Sequence, residues 1–166
     1  MFYYLNVFYL CSFLGFLLET SLKLLFFPHM NNGILFGPWV PVYGFGAVIV
    51  LLISHLIFRK TNMSKLLKTI VTFLIVTVLV TVLEWFGGML IEWLFDKVYW
   101  DYSHMKFNFG PYICLEMSLL WGIFSIIFIY LIMPIEEKIV KKIPKWLTIL
   151  VTAFFLIDVV YTYISM

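Results

Sequence analysis

Five stretches of this chain run apolar for close to, or beyond, the roughly 20 residues that a helix needs to cross a bilayer. They cover about residues 3–27, 42–58, 66–95, 112–133 and 146–164. That pattern predicts an all-α polytopic membrane bundle of about five transmembrane helices, forming a single transmembrane domain over residues 1–166. Composition agrees: 64% of the 166 residues are hydrophobic and 12% charged, whereas a soluble domain is nearer half apolar and a quarter charged. The third run is long. At ~1.5 Å per residue it spans about 45 Å, so it must tilt, protrude or break, and Gly87-Gly88 is the place for a bend.

Lysine and arginine set the expected orientation. Arg59, Lys60, Lys65 and Lys68 fall in loop 59–68, and Lys138, Lys141, Lys142 and Lys145 in loop 134–145, so these two loops carry eight of the eleven basic residues. The positive-inside rule puts both loops in the cytoplasm, the N-terminus inside and the C-terminus outside a bacterial cytoplasmic membrane. The first run lacks a basic n-region and a small-residue cleavage site, so it reads as a retained helix. Glu136 and Glu137, among lysines, read as solvated. Cys11 and Cys114 lie in or beside apolar segments and read as buried free thiols. The basic residues are few and juxtamembrane, which excludes a nucleic-acid footprint. Neither a P-loop nor a dinucleotide fingerprint occurs. The implied partners are membrane lipid, a small-molecule or cation ligand, and a second copy or partner subunit.

The acids point to a site. Glu19, Glu84, Glu92, Glu116 and Asp158 all lie inside or at the ends of apolar runs, where ionisable groups are costly and usually face the bundle interior or a wet cavity. Counting residues along each run places all five away from the inner half. Glu84, Gly88, Ile91 and Glu92 share a broad helical face. Glu19 precedes Lys23 by four residues, the favourable order for a helical ion pair.

Two outer loops lie on the same side. The first, 28–41, continues into the second helix as PHMNNGILFGPWVPVYGFG. Its prolines and glycines exclude regular helix, and its apolar content excludes a loose aqueous loop, so it reads as structured or re-entrant. Asn31 and Asn32 supply neutral donors and acceptors. The second reads YWDYSHMKFNFGPYICLEMSLLWG over 99–122. Asp101 with Ser103 makes a local turn, His104 reads alone as a surface histidine, and Pro111 stands near the first turn of the fourth helix. Most terminal aromatics read as an interfacial belt. Together, the loops and acids predict an outward-facing acidic and aromatic pocket. It is lined by Glu19, Asn31, Glu84, Trp100, Asp101, Tyr102, His104, Asn108, Glu116 and Trp121, with loop 28–41 as lid and Glu84 beside Glu116.

Three blocks of sequence, NNGILFGPWVPVYGFG (31–46), LEWFGG (83–88) and 100–122, are similar to the ABC-transporter type IV, or CmpB-like, membrane family of bacteria. The resemblance implies a permease and makes Glu84, Trp100, Asp101, Tyr102, Ser103, Asn108, Glu116, Ser118 and Trp121 part of a family pattern. Asn32 stands where that pattern has a basic residue, and Val40 where it has a cysteine.

Three readings follow. The leading one is a permease or transport component for a small solute or cation. The second is an intramembrane enzyme acting on a lipid or isoprenoid, with Glu84 and Asp101 as acid and base. The third is an accessory subunit whose polar cluster locks helix packing.

Overall fold

The computed structural model describes residues 1–25 and 33–165. Six α-helices, α1 (Phe2–Leu25), α2 (Pro41–Lys60), α3 (Lys65–Phe95), α4 (Leu115–Ile127), α5 (Met133–Val140) and α6 (Lys145–Ser165), make up five spans long and apolar enough to cross a membrane. The fourth span, Leu115–Val140, joins α4 to α5 through one π-helical turn, Phe128–Ile132.

The element ends follow local chemistry. Pro41 opens α2, where its missing N–H costs nothing, and Arg59 and Lys60 close it against the negative end of the helix dipole. Ser64 caps α3 by accepting the Leu67 N–H at 3.3 Å. Asp96, at φ 51°, ends α3 in the left-handed region, with its N–H on the Glu92 carbonyl at 2.8 Å. Between these caps α3 runs unbroken for 31 residues, through Gly87-Gly88. Gly88 is used instead for close approach: a Cβ there would lie 2.5 Å from Cδ1 of Tyr112, whereas one on Gly87 would meet nothing.

The helices pack in chain order, α1 on α2, α2 on α3 and α3 on α4, with α6 against α1. Glycine sets the first contact twice over. Gly15 of α1 receives the ring of Tyr43, and Gly44 of α2 receives Ser12 and Phe8. At the basic end of the bundle, α5 returns to α1 and the π turn to α2. A core of Val7, Leu51, Val76, Val80 and Ile129 lies between them.

Three expectations change. The fourth helix starts at Leu115, because Pro111 belongs to the turn of a short hairpin. Asn108–Phe109 pairs antiparallel with Ile113–Cys114 around Gly110, whose φ is +66°. Residues 134–140 are helical and continue the fourth span, so Glu136 and Glu137 are not on a solvated loop. Glu136 is 3% exposed, and Glu137 accepts from Lys141 at 3.2 Å. Finally, no ion pair joins Glu19 to Lys23 among the described residues. Both cysteines are free and buried, as expected.

Candidate functional site

Glu84 sits on the inward face of α3, one turn before Gly88, and is 4% exposed. Each carboxylate oxygen has its own neutral donor. The Tyr102 hydroxyl donates to Oε1 at 3.1 Å, and the Trp121 indole N–H donates to Oε2 at 3.0 Å. Tyr102 comes from the loop after α3 and Trp121 from the second turn of α4. The ring of Trp121 meets that of Tyr43 edge-on, with centroids 5.4 Å apart. The Tyr43 hydroxyl, in turn, bonds to Glu19. Glu19, Tyr43, Trp121, Glu84 and Tyr102 thus form one continuous cluster across α1, α2, α4, α3 and the loop. Among the described residues no lysine, arginine or histidine pairs with Glu84 or Glu19.

The remaining residues of the 99–116 stretch build the loop that delivers Tyr102. The Trp100 indole donates to the Tyr112 carbonyl at 3.0 Å, fastening the loop to the residue seated on Gly88. The Tyr102 N–H donates to the Pro111 carbonyl at 2.8 Å. Asn108 Nδ2 donates to the carbonyls of Tyr102 at 3.1 Å and Ser103 at 2.7 Å. Asp101 accepts the Ser103 N–H at 2.8 Å. The Ser103 hydroxyl and N–H hold its fully exposed carboxyl below the usual carboxylate range, with His104 adding to the effect. Asp101, His104 and Asn108 are exposed and do not join the Glu84 cluster. Burial, with the Glu84 carboxylate beside it, pushes the Tyr102 phenol well above the usual tyrosine range.

Glu116 is one residue into α4. Its Oε2 is buried and accepts no hydrogen bond, and the Cys114 thiol faces it. Glu84 and Glu116 are not bonded to each other; Cys114 lies within electrostatic reach of both. Glu92 is exposed. Asp158, on α6, accepts the Gly37 N–H at 3.0 Å and so pins the described part of the first loop, which a second bond, Val40 N–H to Ser12 carbonyl at 3.0 Å, ties to α1. Asn31 and Asn32 lie outside the described residues.

Beneath the cluster is a cavity of about 160 Å³. Tyr43 and Trp121 close one end, and α2 and Val80 floor it. Its two rims come from α1 and α4. Leu14, Leu18, Phe124 and Ile127 line the cavity and are also exposed on the outer apolar surface. The cavity therefore opens sideways, toward the lipid side of the bundle. No group of three or more His, Cys, Asp or Glu among the described residues is placed to hold a metal.

The family model described as "Putative ABC-transporter type IV" matches residues 6–164. The chain belongs to this family. No curated protein and no solved structure matches it. Two residues central to the site escaped the sequence reading. Tyr43 lies in the glycine-rich YGFG segment, and that close spacing of glycines around a tyrosine was the available signal. Gly15 gives none, since a single glycine in an apolar helix looks like any other.

Proposed function

We propose that this membrane protein is a transport component whose Glu84 pocket binds a small organic cation with an apolar body. The observation that carries the reading is the pairing of Glu84: both oxygens are held by uncharged donors, and no basic side chain among the described residues answers its charge. A charge buried at such depth is normally matched by a partner. A proton or a cationic ligand supplies it here. The aromatic faces of Tyr43 and Trp121, between the carboxylates and the cavity, are suited to an alkylammonium group. The apolar cavity below them takes the rest of the molecule.

The lateral opening is what an intramembrane enzyme for a lipid would also need. Such an enzyme calls for a second acid or base beside Glu84. Asp101, the candidate for that part, is exposed and bonded to Ser103, so binding is the reading the geometry favours. With eight of eleven basic residues within 59–68 and 134–145, the pocket faces outward, the N-terminus inward, in a bacterial cytoplasmic membrane.

The test uses short alkyltrimethylammonium ions and their neutral isosteres, with carbon in place of nitrogen, read by tryptophan fluorescence and thermal shift on the purified protein. The cations should bind at least tenfold more tightly. Glu84→Gln should remove that preference while the protein keeps its fold. Equal binding of cation and isostere to the wild type would refute the proposal.

A further inference from the structure

A second cavity, about 260 Å³, lies at the opposite, basic end of the bundle. It is lined by Ser54, His55, Phe58 and Arg59 of α2, by Ile129 and Tyr130 of the π turn, and by Met133 and Glu137 of α5. The π turn thus supplies part of the wall, and such turns frequently mark functional positions. At about 30 Å³ per liquid water, this cavity is too large for a bare ion.

Its charges are unequal. Arg59 is in the lining. Lys65 Nζ stands 5.1 Å over the Tyr130 ring, and Lys68 Nζ stands 5.9 Å over the Phe58 ring and donates to the Phe58 carbonyl at 2.9 Å. Against these cations is one carboxylate, Glu137, which Lys141 neutralises at 3.2 Å. Its neighbour Glu136 faces Cys11 on α1, while the Tyr3 hydroxyl bonds to Glu137 itself. His55 Nε2 is buried, has no hydrogen-bond partner and stands 3.9 Å from Glu137 Oε1. The inner wall is apolar and aromatic, and Leu56 of α2 and Ile135 of α5, on the two helices that line it, are exposed apolar side chains.

We infer that this cavity binds the phosphate headgroup of an anionic phospholipid, with the phosphate facing Arg59, Lys65 and His55 and the acyl chains running over the adjoining apolar surface. A phosphate oxygen gives the unpartnered His55 nitrogen an acceptor when that nitrogen carries the proton. Arg59 offers the forked donor geometry that phosphates favour. The apolar wall argues for a lipid over free phosphate, which has no group to place there. The site is independent of the Glu84 pocket.

Native mass spectrometry of the full-length protein, released from micelles holding phosphatidylglycerol and phosphatidylcholine with identical chains, tests this. The wild type should retain phosphatidylglycerol at least 25-fold over phosphatidylcholine. Arg59→Gln with Lys65→Gln should cut that preference about 25-fold, at roughly fivefold per cation removed. Arg59→Lys should keep most of it. The control pair Lys60→Gln with Lys142→Gln removes the same charge outside the cavity and should leave the preference intact. Three outcomes overturn the inference: equal retention of the two lipids, an equal loss in the control pair, or displacement of the lipid by millimolar inorganic phosphate, which would assign the site to a free anion.

Discussion

Tyr102 donates its hydroxyl to Glu84 Oε1 at 3.1 Å, so a loop residue eighteen positions further along the chain completes the shell of a carboxylate buried on α3. Trp121 completes it from α4. One acidic side chain therefore holds three segments in place.

Removing either donor should be felt in stability. Tyr102→Phe and Trp121→Phe should each cost about 1–3 kcal/mol, because each leaves a buried carboxylate oxygen without its partner. The double variant should cost less than the sum, since both act on one acceptor. Unfolding by sodium dodecyl sulfate in mixed micelles measures this; single variants indistinguishable from wild type would mean that water replaces the lost donors.

Gly87 and Gly88 make a matched pair for a second test. Gly88→Ala places a methyl 2.5 Å from the Tyr112 ring. Tyr112 must then move, and with it the carbonyl that receives the Trp100 indole. We expect destabilisation by about 1–3 kcal/mol and faster proteolysis of the 96–111 loop. Gly87→Ala meets open space and should be neutral or stabilising by up to about 1 kcal/mol through helix propensity. Equal effects at both positions would contradict the packing.

The Tyr102 phenol gives a pH dependence. Burial first, and the neighbouring Glu84 charge second, hold its folded-state value above that of the unfolded chain, which is about 10. The stability linked to this group is fully present below about pH 10 and is lost as pH rises from there through the folded value. In an absorbance titration of the tyrosinate band, Tyr102→Phe should remove one resistant tyrosine and flatten the alkaline fall in stability. An unchanged alkaline limb would show that Tyr102 does not contribute it.

Orientation can be read with a membrane-impermeant maleimide, because both native cysteines are buried. In intact cells Ser103→Cys should react, while Asn62→Cys should react only after permeabilisation. Both positions are exposed. The opposite result would turn the Glu84 pocket inward without altering its geometry.

Hydropathy is a local property, so four of the five spans were legible in the sequence to within a few residues, while the fourth runs seven residues beyond its expected end, to Val140. The cluster was legible in part. A membrane acid seeks a partner, which singled out Glu84, and the nearby aromatics Tyr102 and Trp121 were the available donors. Direction was not legible. Asp101, His104 and Asn108 are as polar as the residues that enter the cluster, yet the hairpin at Asn108–Cys114 turns them outward. Glu136 failed in the reverse sense. Lysines nearby made it look solvated, whereas the π turn and α5 carry it beneath the surface, toward α1. Both errors concern which way a side chain faces, and that depends on contacts made by distant segments.

The last helix carries a consequence for biogenesis. Thr148 donates to Asn6 at 2.8 Å, Tyr9 donates to Thr152 at 3.0 Å, and Asp158 receives Gly37. These bonds join residues 121 to 143 positions apart. During synthesis α1 emerges well before α6, so the amide of Asn6 and the hydroxyl of Tyr9 wait in the membrane without these partners until α6 arrives. That helix acts as a latch on α1, and the interval before it closes is when a chaperone or quality-control protease would meet an exposed polar seam there.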